Sequence, residues 1–308
     1  MEGRREPRDR GDEPPQRDQT RRARIAETVA RRRVEAAAAT DAELPEERGP
    51  AAYLAEFIGT FALVFFVTMA VVLFLPGPEA APQQPTLPGQ PPVEPEAEQP
   101  FQDWAVVGFV HVFVLFLIIQ TLAIISGAHV NPAVTVAMAA IRQIRGIDAA
   151  IYVVIQLAGA TLGALCTKLI VDDEGEAVHH GATEVSKRVE QDIFPAGFAV
   201  EAIGTFFLVW AIVGIAVNPR ALKDWAGLVI GGTLGLAVMT LGPITGGGFN
   251  PARVFGPALV SNHFEGIDTF IVAYVLGPLV GALLAASIYF YLFILPGRRA
   301  PGGMEPVG

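Results

Sequence analysis

Six stretches of the chain are apolar for long enough to cross a membrane: 51–75, 104–125, 147–171, 194–217, 225–241 and 267–295. A helix rises about 1.5 Å per residue and the hydrocarbon core is about 30 Å thick, so roughly 20 apolar residues suffice for a crossing. Polar positions fall mainly between these stretches, and two shorter runs break the rhythm. The first is entered through Ser126-Gly127-Ala128-His129-Val130-Asn131-Pro132-Ala133, the second through Thr245-Gly246-Gly247-Gly248-Phe249-Asn250-Pro251-Ala252-Arg253. Each passes from a loop of small residues into Asn-Pro-Ala and then into a run able to form a helix. Asn is a favoured N-cap, and Pro suits the first helical position because its missing N–H would be unpaired there anyway. A helix from Asn131 to residue 141 is about 16 Å long, half the hydrocarbon thickness. Two such half-helices, entering from opposite faces with their N-termini meeting, complete a crossing. Irregular backbone at that depth is tolerated only where it is buried in protein or lines a water-filled cavity. The pattern therefore predicts an all-α membrane protein of six transmembrane helices plus two half-helices, with a pore where the loops meet.

The two halves also repeat. Ala55-Glu56-Phe57-Ile58-Gly59-Thr60-Phe61 resembles Val200-Glu201-Ala202-Ile203-Gly204-Thr205-Phe206. The glutamates stand 145 residues apart and Asn131 and Asn250 stand 119 apart, a difference of 26. That difference is close to the length of a stretch at 76–103 that is rich in Pro, Gln and Glu and holds no Lys or Arg, and so reads as an insertion in the first half. With three spans per half the repeats are inverted. Inverted repeats with broken helices at the midplane mark transport proteins. The expected organisation is a charged, mostly disordered tail over 1–50, a channel domain over 51–296 (repeats 51–171 and 194–295), and a short tail over 297–308.

Composition adds exclusions. Hydrophobic residues make up 52% of the 308, charged residues only 17%, which sets aside a soluble globular domain. Residues 1–50 carry 12 Lys or Arg and 12 Asp or Glu, too polar and balanced to build a core. Within them 21–39 can form a helix with Glu27 and Arg31 at i,i+4 spacing, either solvated or resting on an anionic membrane surface. No apolar core of signal-peptide length occurs there. The net charge of −9 says little about partners, because the acids sit mainly in loops on one side; no nucleic-acid partner is expected, and Cys166, the single cysteine, excludes a disulfide within the chain. Arg142, Arg145, Arg220, Lys223, Arg298 and Arg299 fall on one side of the six spans, and Lys187 and Arg188 on the other. The excess of basic residues puts both termini on the cytoplasmic side, in the cell membrane.

Two Asn-Pro-Ala motifs in matched loops, the second followed by Arg253, resemble the aquaporin or major intrinsic protein family over about residues 53–295. The resemblance implies an aquaporin-like fold and a passive channel for water and other small neutral solutes, such as ammonia or hydrogen peroxide, that excludes protons and ions. It also implies a homotetramer in the lipid bilayer, with no cofactor, no metal and no enzymatic activity. Asn131 and Asn250 become donors to a passing solute rather than plain caps, and the positive half-helix ends a barrier to cations. Arg253 matches the filter arginine rather than an arginine reaching for the interface. Counting back from the motifs places His111, Val238 and Gly247 beside it, although His111 can also be read as an ordinary buried histidine. His, Val, Gly and Arg are similar to the filter of some plant tonoplast-type members and wider than that of strict water channels. Carbonyls of Gly127, Ala128 and His129, and of Thr245, Gly246 and Gly247, become the polar wall. Glu56 and Glu201 read as proton-relay groups or as acceptors for loop N–H groups, and the resemblance favours the second. Gly59, Gly159, Gly163, Gly204 and Gly235 suit close helix crossings. A glycerol facilitator is the alternative inside the family; its members usually carry Asp after the filter arginine, where this chain has Val254, and a basic residue where it has Ala258. An ion-coupled transporter is the alternative outside it.

Overall fold

Residues 45–75, 100–186 and 193–298 are described by the computed structural model. The expectations for the tail up to residue 44, for 76–99, for Lys187 and Arg188 and for the last ten residues lie outside the described residues. Among the described residues no strand occurs, and six helices are long and apolar enough to cross a membrane.

The first half comprises α1 (Pro50–Phe74), α2 (Pro100–Ser126), the half-helix α3 (Pro132–Ala140) and α4 (Gly146–Ile170). The connection to the second half holds a short helix, α5 (Asp172–Glu176), and a single 3₁₀ turn at His179–Gly181. The second half comprises α6 (Ile193–Ile212), extended by a π turn at Val213–Val217, then α7 (Ala226–Thr245) and the half-helix α8 (Pro251–Ser261). The last span joins α9 (Ile267–Thr269), a π turn at Phe270–Leu276, α10 (Gly277–Tyr289), a second π turn at Phe290–Ile294 and α11 (Leu295–Arg298). The first of these π turns runs into Gly277 and Pro278, where proline has no N–H to give and its ring crowds the carbonyl four residues back. Two boundaries differ from the sequence expectation. The second span starts at Pro100 rather than 104, with proline at a tolerated helix start, and the fifth continues through Pro243 to Thr245.

Packing interlocks the halves. The spans pair as α1 with α4, α2 with α7 and α6 with α10, while each half-helix packs on a span of the opposite repeat, α3 on α10 and α8 on α4. Glycines set these distances. A Cβ at Gly159 would lie 2.5 Å from the Phe57 carbonyl oxygen, one at Gly256 2.5 Å from that of Ala160, and one at Gly281 would collide with that of Ala202. Gly204 instead makes room for a loop side chain, the Phe249 ring, and Gly59 admits both the Val130 side chain of the loop and Leu122 and Ile118 of α2. The outward faces carry exposed apolar side chains such as Phe113, Leu117, Ile124, Phe207 and Leu284, as a helix facing lipid requires.

Gly281→Val forces side-chain carbons into the Ala202 carbonyl, an overpacking of about 1–3 kcal/mol. The expected result is a lower melting midpoint in detergent, read by size-exclusion after heating. Gly232→Ala, where an added Cβ meets nothing within 4 Å, is the neutral comparison. Equal midpoints for the two variants would contradict the close α6–α10 approach.

Candidate functional site

The two loops fold as copies of each other because the same residue types sit at the same steps. Asn131 caps α3 by accepting from Ala133 N at 2.9 Å, and Asn250 caps α8 by accepting from Ala252 N at 3.0 Å and Arg253 N at 3.4 Å. This satisfies N–H groups that a helix start leaves orphaned. Each amide then reaches across. Asn131 Nδ2 donates to the Phe249 carbonyl at 2.9 Å, and Asn250 Nδ2 donates to the Val130 carbonyl at 2.8 Å. An amide has two N–H donors, so each Asn spends one on the opposite loop and keeps one.

A buried carboxylate braces each loop. Glu56 accepts from Ser126 Oγ at 2.7 Å, His129 N at 2.9 Å, Val130 N at 2.7 Å and Gln156 Nε2 at 2.8 Å. Glu201 accepts from Thr245 Oγ1 at 2.7 Å, from Gly248 N at 3.0 Å and from Phe249 N. Tyr152 Oη donates to the Ser126 carbonyl at 2.9 Å and Tyr274 Oη to the Thr245 carbonyl at 3.0 Å. These contacts are the geometry of an acceptor for loop N–H groups, not of a chain of exchangeable protons. Gln156 and the tyrosine pair escaped the sequence reading; a polar side chain inside an apolar span, and two tyrosines 122 residues apart, were the available signals.

The loops border a cavity of about 250 Å³ whose wall takes in Gly127, Ala128, His129, Asn131, Asn250 and Arg253, with His111 beside them. Aliphatic side chains such as Leu63, Leu115, Ile119, Leu208 and Ile230 make the opposite wall. His111 and Arg253 are 2% exposed, so both are sealed from bulk water except through this space. His111 Nδ1 lies 2.8 Å from the Val107 carbonyl. A carbonyl only accepts, so Nδ1 carries the proton and Nε2, which has no hydrogen-bond partner among the described residues, is left as an acceptor in the neutral ring. Arg253 Nη1 donates to the Gly181 carbonyl at 2.9 Å.

Of the second loop, Gly248 and Asn250 border this cavity, while the Thr245 carbonyl accepts from Tyr274 Oη and Gly246 packs against Thr183. Val238 and Gly247 meet each other, a Cβ at Gly247 falling 3.4 Å from Val238 Cγ2. Outside the spans, Val185 N donates to both carboxylate oxygens of Glu265 at 2.9 Å, and burial pushes that carboxyl up to about 7. Burial, with Lys168 nearby, also lowers the His180 pKa.

An inverted pair of three-span repeats, closed at mid-depth by two capped half-helices around a part-polar cavity, defines a multi-pass membrane channel. The family model described as Major intrinsic protein matches residues 46–289. The chain is 39% identical over 243 residues to the probable aquaporin AqpM of Archaeoglobus fulgidus, covering 78% of this chain and 96% of that one. It is 37% identical over 204 residues to the aquaporin TIP4-4 of Zea mays, covering 65% and 74%. The X-ray structure of the aquaglyceroporin from Plasmodium falciparum shares the fold, with a TM-score of 0.61 at 23% identity over 80% of this chain and 97% of that one. The chain belongs to the major intrinsic protein family, and as a member it is a passive channel for water and small solutes.

Replacing Glu201 by Gln turns an acceptor toward the donors Gly248 N and Phe249 N into a group that itself presents N–H. At least one charge-assisted bond is lost, about 1.5–3 kcal/mol. The expected outcome for Glu201→Gln is a lower melting midpoint together with reduced solute flux. A variant of parental stability and flux would remove the bracing role.

Proposed function

We propose that water crosses this channel in single file, passing two donor points at Asn131 and Asn250. The observation that carries the reading is that each amide lines the cavity with one N–H fixed to the opposite loop and the other uncommitted. A water held by both remaining donors must turn its oxygen toward them, which interrupts a continuous donating chain. The two half-helix N-termini, each worth about half a positive charge, add a barrier to hydronium and cations. His111, Val238, Gly247 and Arg253 form the filter, with His111 Nε2 accepting and Arg253 donating. Lacking bulky rings at Val238 and Gly247, this filter also admits small neutral solutes such as ammonia and hydrogen peroxide. Val254 in place of an acidic residue favours water over glycerol.

The channel unit is 51–296, its termini are cytoplasmic, and the protein is a homotetramer in the cell membrane. Native mass measurement in mild detergent tests the assembly, where monomers alone count against it. Stopped-flow measurements on proteoliposomes with water, glycerol and ammonia test the function. Linear flux insensitive to ion gradients is expected, and flux driven by an ion gradient would instead make the protein a coupled transporter.

Asn131→Asp and Asn250→Asp each put a negative charge at the meeting point of the helix ends and weaken cation exclusion. Measurable cation conductance is expected in at least one of them. If both stay as electrically silent as the parent, the placement of the barrier fails.

His111→Phe replaces an acceptor nitrogen with an apolar ring edge of greater bulk. Ammonia flux is expected to fall more than water flux. An equal fall means that the ring sets width alone, and no change in either means that it does not face the conducted solute.

A further inference from the structure

A second cluster lies outside the channel lining. His179 belongs to the 3₁₀ turn, Glu184 follows it in the extended stretch, and His263 lies just past the end of α8. One ring nitrogen of each histidine and one carboxylate oxygen of Glu184 all lie within 4.8 Å of one another. The two imidazoles are stacked, with centroids 3.7 Å apart and planes 6° apart, and His263 Nε2 is 3.3 Å from Glu184 Oε1. That nitrogen is buried yet has no hydrogen-bond partner among the described residues. Two neutral imidazoles and a carboxylate are the donor set of late first-row divalent cations, with bonds of about 2.0–2.2 Å in a tetrahedral arrangement. Such a site needs ligand atoms roughly 3.3 Å apart. Glu184 is exposed and both histidines are partly so, which gives the side chains room to close that gap and to turn the rings out of their stack, as parallel imidazoles cannot aim both lone pairs at one ion. Three protein ligands leave one position for water. Calcium and magnesium prefer all-oxygen sites and fit poorly.

We propose that His179, Glu184 and His263 bind a divalent cation of the zinc type at one mouth of the channel. None of the three sits at a ligand spacing in the sequence, which is why the chain read alone suggested no metal. The position of the site gives it a consequence. It joins the loop at 179–186 to the C-terminal end of α8, and both partners converge again on Arg253: Gly181 of that loop accepts from Arg253 Nη1 at 2.9 Å, and Arg253 lies in the first turn of α8. An occupied site therefore pins the filter arginine and its carbonyl partner from both sides and lowers flux. This second statement rests on the pore reading, whereas the binding itself does not.

Titration calorimetry of the full chain in detergent with Zn²⁺ tests the binding. One ion per chain is expected, undisturbed by excess Mg²⁺. Loss of a mere outer-sphere partner costs about 10–100-fold in metal affinity, so His179→Ala and His263→Ala are each expected to cost at least about 100-fold. A parent that binds no Zn²⁺, or variants that bind it as tightly as the parent, overturns the site. In proteoliposomes, Zn²⁺ on the side bearing this mouth is expected to reduce water flux in the parent, reversibly with chelator, and not in His263→Ala. Binding without any change of flux overturns the link to the filter. A parent that conducts no water with or without the ion overturns the pore reading while the calorimetry stands.

Discussion

Two carboxylates held away from water, Glu56 and Glu201, are what allow this chain to keep irregular backbone inside a membrane. The loops before the half-helices take left-handed conformations at Ala128, Val130 and Phe249, with φ of 49°, 41° and 49°, so their N–H groups cannot enter a helical ladder. In lipid each unpaired N–H would cost several kcal/mol. One glutamate per loop collects these donors at a single point, and they stand in for the water it has lost. The charge is tolerated because the loop needs it, and the loop is shaped by the charge.

The copies are not equal. Tyr152 and Tyr274 are equivalent by the carbonyls they grip, and four residues on stand Gln156 in the first half and Pro278 in the second. Gln156 donates to both Glu56 and Thr135, while the position matching Thr135 is the apolar Val254. The first loop is therefore held by an extended polar network. The second relies on shape instead, with the Phe249 ring seated against Gly204 and the Tyr274 hydroxyl engaging Thr245 and, at 3.4 Å, Glu265.

The spans, half-helices and repeat were legible because each rests on a local rule: apolar length, a cap followed by proline, and a recurring Glu with Gly three residues on. Asn131, Asn250, Glu56, Glu201 and Arg253 stood out as polar residues that a bilayer penalises. What stayed hidden depends on contacts between distant segments. The sequence places Thr245 and Gly246 in the loop, but only the fold shows the Tyr274 hydroxyl occupying the Thr245 carbonyl and Thr183 crowding Gly246. Gly204 reads as a helix-crossing residue, although its partner is the loop ring of Phe249, and Gly59 meets the loop side chain of Val130 besides Leu122 and Ile118 of α2. The cluster of His179, Glu184 and His263 gave no local signal at all.

The crossed amide bonds have a bearing on how the chain is made. Asn131 and Val130 of the first loop find their partners in Phe249 and Asn250, more than a hundred residues later in synthesis. When the first repeat has entered the bilayer, its amide donor and carbonyl acceptor still face a partner that has not been translated. The first loop can be braced by Glu56 at once, but its tip is completed only when the second half arrives. The midplane thus cannot settle before the second half arrives, and its assembly requires both repeats to have inserted with opposite orientation.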